Sequence, residues 1–186
     1  LTHKIVDLNY VIYTWEKDNR GGNVTTEQNL KTAFMGESQA YMKYSAFAAK
    51  AEKEGHRQVA RLFRAIAEAE KVHALNHFAV MGGSGDTSSN ITSAIDGETY
   101  EFTQMYPGFI EQAEQEESSR AAASFRAASA VEKIHSNLYN KALKNLDRNK
   151  EEDYYVCSVC GNTVAGAIPD KCEVCGAAAG KFRFVE

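Results

Sequence analysis

Glu70-Lys71-Val72-His73 recurs further along the chain as Glu132-Lys133-Ile134-His135. Around the two copies the match widens. Phe63-Arg64-Ala65 returns as Phe125-Arg126-Ala127, Tyr44 as Tyr106 and Phe47 as Phe109, all at one common offset. A repeat of this length is one supersecondary unit used twice. In each copy apolar and small residues recur at helical spacing, so each copy reads as two antiparallel helices. The expected helices run from an N-cap at Thr25 or Thr26 to near Glu54, from near Arg57 to Met81, from near Thr92 to Glu117, and from near Ser119 to Leu146. Gly55 breaks the first pair, and the polar, glycine-rich stretch 82–90 separates the pairs.

The fold class that follows is mainly α, a ferritin-like four-helix bundle over residues 24–148. It is preceded by a leader, residues 1–23, of unknown role. It is followed by a small four-cysteine metal domain at 149–186. The bulk properties agree. The chain has 186 residues, 44% of them hydrophobic, which suits one medium domain plus a small one. Only two prolines occur, Pro107 and Pro169, which favours long helices. A net charge of −4 without a basic run gives no reason to expect nucleic acid. Neither a membrane-length apolar run nor a signal-peptide pattern is present, so the expected location is cytoplasmic.

The repeat is not perfect. Gly36-Glu37 returns as Gly97-Glu98, one position sooner than the downstream matches require. The third helix therefore holds one extra residue between Glu98 and Tyr106. Helices absorb a single insertion as a π-bulge, a feature common at functional sites. Pro107 stands beside it and removes one helical N–H, so a local kink is expected there.

Spacing of three places Glu70 with His73, and Glu132 with His135, on one helical face. Glu37 lies as far before Gly55 as His73 lies after it, so they meet at one level of the first pair. In the second pair the turn is expected near Ser118, with Glu101 as far before it as His135 is after it. Glu37, Glu70, His73, Glu98, Glu101, Glu132 and His135 are thus expected in one layer. Two Glu-x-x-His helices facing two glutamate-bearing helices are the ligand set of a di-iron bundle. Without cations such a carboxylate cluster would be very unfavourable to bury. A lone Glu-x-x-His is ordinarily a solvated face, but here it is duplicated and level-matched. His3, His56 and His77 lack such partners and are read as non-ligands.

Cys157-x-x-Cys160-Gly161 and Cys172-x-x-Cys175-Gly176 form two metal knuckles. The spacing alone leaves iron and zinc open, because both accept four sulfurs. Tyr154, Tyr155, Phe182 and Phe184 flank the knuckles and are expected to supply a small aromatic core.

Together, Gly36-Glu37-Ser38-Gln39-Ala40, Gly97-Glu98-Thr99-Tyr100-Glu101, Met105-Tyr106-Pro107, both Glu-x-x-His pairs and the double knuckle resemble the rubrerythrin family, nigerythrin included. The resemblance spans residues 24–186. One departure is Glu173, where family members usually carry proline. The resemblance implies that Glu37, Glu70, Glu98, Glu101, Glu132 and His135 are the iron ligands. It also implies that one iron exchanges Glu101 for His73 on reduction. The repeat places Ala40 opposite Glu101, so only one iron would have that choice. Tyr44 and Tyr106 match family tyrosines beside the cluster, where they would bond to ligand carboxylates. Their alternative reading is aromatic packing.

The implied activity is reduction of hydrogen peroxide to water at two irons, with electrons relayed by a rubredoxin-like Cys₄ iron from an external reductase or rubredoxin. The implied assembly is a head-to-tail homodimer, which would bring one chain's four-cysteine domain near the other's bundle. Two other readings stand beside this one: a ferroxidase or iron-handling protein, and a zinc-ribbon interaction module on a metal-bound bundle. The four-cysteine tail argues against storage, since ferroxidation takes its electrons from incoming ferrous ions.

Overall fold

Thr25 starts the first helix by a reciprocal cap. Its Oγ1 accepts from the Gln28 amide at 3.2 Å, and the Gln28 Oε1 accepts from the Thr25 amide at 2.8 Å. The structure is a computed structural model that describes residues 24–186, so the leader lies outside the described residues. It divides into two compact units, the first ending at Ser84 and the second running from Gly85 to Glu186.

The first unit is a helical hairpin of α1 (Thr26–Lys53) and α2 (Arg57–Val80). Gly55 makes the turn at φ 84°, a left-handed conformation that costs glycine little. Ala48, Ala51, Ala60, Ala67 and Ala74 are buried along the seam and let the helices approach closely. Aromatic rungs join across it. The Tyr44 and Phe63 rings lie 6.1 Å apart, Phe47 and Phe63 5.6 Å, and Phe34 and Phe78 5.2 Å.

The second unit opens with α3 (Thr87–Tyr100), whose N-cap is Asp86. The Asp86 carboxylate accepts from the Ser89 amide at 2.7 Å. The helix therefore starts at Thr87 rather than near Thr92. A polar Thr-Ser-Ser-Asn run reads as loop by composition, but a capping aspartate turns it into a first helical turn. A π-helical segment follows, Glu101–Met105, closed by the Tyr106 amide donating to the Glu101 carbonyl. The extra residue counted from the repeat is absorbed there. Pro107 follows directly, in the first turn of α4 (Tyr106–Gln115), within a backbone that stays helical from the π segment onward. The turn into α5 (Ser119–Lys144) passes through Glu117 at φ 54°, just before the expected Ser118.

The repeat is a repeat of contacts as well. The Tyr106–Phe125 rings lie 6.2 Å apart and Phe109–Phe125 5.6 Å. Arg64 bonds to Glu52, and their counterparts in the second copy, Arg126 and Glu114, bond likewise.

The chain ends in a three-stranded antiparallel sheet of order β2-β1-β3, with β1 Tyr154–Cys157, β2 Thr163–Ala165 and β3 Phe182–Val185. Its core is Cys157, Cys172 and Phe182, with Tyr155 packed against it. Phe184 is largely exposed, although its ring lies 5.8 Å from that of Tyr155. Strand alternation does not explain the split between Phe182 and Phe184, because both fall on one face. With so few residues the core covers one end of that face.

Candidate metal centres

Each knuckle turns on its glycine. Gly161 has φ 84° and donates to the Cys157 carbonyl at 2.9 Å, while Gly176 has φ 72° and donates to the Cys172 carbonyl at 2.8 Å. The turns bring four sulfurs together, all within 4.8 Å of one another. Cys157 and Cys175 sulfurs lie 3.7 Å apart, Cys160 and Cys172 sulfurs 3.5 Å. A disulfide would need about 2.05 Å. Four sulfurs at about 2.3 Å from one tetrahedral ion would lie about 3.8 Å apart, so the set fits a single metal. Burial pushes the Cys160 thiol up to about 12. Burial acts the same way on Cys172, but backbone N–H groups and the Asn162 amide overcome it and bring that thiol down to about 6.

In the first unit α1 carries Glu37 and α2 carries Glu70 and His73. The His73 Nδ1 lies 3.0 Å from Glu70 Oε2 and 3.9 Å from Glu37 Oε1. In the second unit α3 carries Glu98 and α5 carries Glu132 and His135. There Nδ1 of His135 lies 2.9 Å from Glu132 Oε2 and 3.9 Å from Glu98 Oε1. Each unit therefore presents a glutamate, glutamate and histidine whose ligand atoms fall within 4.8 Å.

Glu98 and Glu132 face one another. Burial, then the hydrogen bond and charge of Glu132, push the Glu98 carboxyl up to about 7. A carboxyl pair so arranged is relieved by a cation placed between its oxygens. Glu101, at the head of the π segment, lies outside the tight triad. It is near enough that burial, then the charge of Glu132, raise its carboxyl, with His135 acting the other way. Tyr106 is raised by burial and then by the charges of Glu101, Glu132 and Glu98. Tyr44 packs between Phe47 and Phe63. No hydrogen bond joins either phenol to a carboxylate among the described residues. His56 precedes α2 and His77 lies in its last turn, outside the triads, while His3 lies outside the described residues.

Sequence reasoning passed over two residues of the second unit. Thr163 Oγ1 lies 3.1 Å from His135 Nε2 and donates to the Gly161 carbonyl at 3.2 Å. Asn162 is fully buried and its amide donates to Cys172 Sγ at 3.5 Å. Their signal in the sequence was only position, directly after the first knuckle. A cavity of ≈ 530 Å³ opens beside them, lined by Glu98, His135, Leu138, Tyr154 and Thr163 among others.

A family model described as Rubrerythrin matches residues 28–143. Rubrerythrin-2 of Clostridium acetobutylicum is 35% identical over 178 residues, covering 87% of this chain and 97% of that protein. Nigerythrin of Nitratidesulfovibrio vulgaris is 33% identical over 172 residues, covering 85% of each chain. A solved structure of nigerythrin in a partially reduced state is similar with a TM-score of 0.54 and 32% identity, over 90% of each chain. The mainly helical fold with a four-cysteine C-terminal module is thus of nigerythrin type.

Proposed function

This chain belongs to the rubrerythrin family, a family of di-iron peroxidase-type proteins, and from that premise we propose that it reduces hydrogen peroxide to water. The two Glu/Glu/His triads, with Glu101, are proposed to hold two irons, and the four cysteines a third. Bound iron supplies Lewis acidity at the oxygens and the electrons that break the O–O bond. The residues do the rest. Glutamates neutralise the cations, and the histidines add neutral nitrogen ligands suited to ferrous iron. Tyr106, kept protonated by burial and by its acidic neighbours, holds a proton beside Glu101 and Glu132. The knuckle glycines and Asn162 fix the thiolates that hold the electron-donor iron.

The observation that carries this reading is the pairing of a four-sulfur site with a carboxylate–histidine triad in one unit, joined at Thr163 and His135. A storage protein has no use for a donor site there. An external reductase or rubredoxin and a head-to-tail homodimer complete the proposal. Within the second unit the four-cysteine module meets α5 through the Thr163–His135 contact, which supports a donor role for the module.

The test is to reduce the protein fully without oxygen, add peroxide, and follow the absorption of both iron centres. Peroxide should reoxidise them much faster than dioxygen does. Equal or slower reoxidation by peroxide, with iron taken up beyond three per chain, would establish ferroxidase chemistry instead. A colourless four-cysteine site would establish zinc there.

A further inference from the structure

The two triads match closely in their Nδ1 distances but differ at the other imidazole nitrogen. His135 Nε2 meets Thr163 Oγ1 at 3.1 Å. Among the described residues His73 has no counterpart to that bond.

A neutral imidazole carries one N–H and one bare nitrogen, and its hydrogen-bond partners select which is which. Thr163 gives its own proton to the Gly161 carbonyl, so its oxygen is left to accept. With the hydroxyl turned that way, Nε2 of His135 is the donor to Thr163, the tautomer that suits ligation through Nδ1. That leaves Nδ1 bare, 2.9 Å from Glu132 Oε2 and 3.9 Å from Glu98 Oε1. Lone pairs converging at such distances are arranged for a cation they share. We propose that Thr163 is a positioning residue, which holds His135 in the Nδ1-ligating tautomer and does so from the four-cysteine module of the same chain.

Strand geometry explains how a module residue reaches a helix ligand. Adjacent residues entering β2 point to opposite sides. Asn162 turns inward to the Cys172 sulfur, and Thr163 turns outward to α5. One peptide link therefore separates a group bonded to a cluster sulfur from a group bonded to an imidazole ligand. Gly161 lies against the same helix, where an added Cβ would stand 3.9 Å from Val131 Cγ1. The assignment also distinguishes the two histidines. Among the described residues only His135 carries this bond from the four-cysteine module.

The inference rests on the reading of His135 as an iron ligand. Its test uses the full chain with the four-cysteine site loaded and the bundle sites emptied, titrated with ferrous iron against a competing chelator. Removing an outer-shell partner of a ligating histidine typically weakens metal binding about 10–100-fold. Thr163→Val, which keeps the shape and removes the hydroxyl, should show that loss at one iron per chain. Thr163→Ser should restore affinity near that of the unaltered chain, which packing alone would not do. If the valine variant fails to fold, the Ser and Ala variants decide, with affinity kept in the first and lost in the second. Equal ferrous affinity with and without the hydroxyl overturns the role of Thr163 and leaves the iron reading intact. Absence of ferrous binding by the unaltered chain overturns the iron reading and this inference together.

Discussion

Gly55 and Glu117 occupy the same turn in the two copies of the repeated hairpin, and both have positive φ, 84° and 54°. The backbone path is common to the two copies, but only one copy has the residue that adopts it freely. A side chain in the left-handed region costs roughly 1–2 kcal/mol. Glu117→Gly should therefore stabilise the protein by about 1 kcal/mol, less the entropy glycine adds to the unfolded chain. With roughly 0.5 kcal/mol left after that entropy, the expected rise in Tm is ~1–2 °C for a chain of this size. A calorimetric scan that shows no rise would refute it.

Glu98 makes stability and metal loading depend on pH. Its folded carboxyl is raised from 4.5 to about 7. The folded state binds that proton more tightly, so the stabilisation is full below pH 4.5 and is lost as pH rises through about 7. In the metal-free protein Tm should fall across this window, and Glu98→Gln should flatten the fall. Metal displaces the same proton, so ferrous affinity should rise with pH up to near 7. A slope unchanged in E98Q would assign the pH dependence elsewhere.

His73→Ala separates holding iron from using it. Six other proposed ligands remain, so iron content should stay near full. Turnover with peroxide should drop by about ten-fold, equivalent to ~1.4 kcal/mol of barrier. Unchanged turnover in this variant would sink the idea of a ligand exchanged during the reaction.

The four-cysteine module has a core of three buried residues, two of them cysteines. So small a core does not hold a fold without its metal. Removing the metal by chelation or by Cys172→Ala should unfold β1 to β3 while α1 to α5 keep their helical circular dichroism. Hydrogen exchange should show full loss of protection at Tyr155 and Arg183, whose amides face the neighbouring strand. Protection retained at those amides would contradict this account.

Asp86 fixes the start of α3. Asp86→Ala should cost about 1 kcal/mol and fray the first turn. Amide exchange at Ser89 and Asn90 should quicken while that at Thr99 stays slow.

Much of this was legible in the residues. The repeat, its two Glu-x-x-His pairs and its aromatic rungs lie in helices, where spacing alone states which side chains share a face. Even the π segment was countable, because Glu98 answers Glu37 at a shorter offset than Tyr106 answers Tyr44. The knuckles were legible for the same reason, since their ligands are close neighbours in the chain. The start of α3 was misjudged because a single capping aspartate outweighed the composition of the residues after it.

The bond between Thr163 and His135 belongs to another class. It joins a three-residue strand to a helix 28 positions earlier, and neither residue carries a pattern that names the other. Local chemistry supplied the ligands, because periodicity along a helix is written in the chain itself. Which nitrogen of His135 is bare, and which module residue makes it so, was decided only when the sheet came to rest on α5, because a contact between distant segments depends on how they pack.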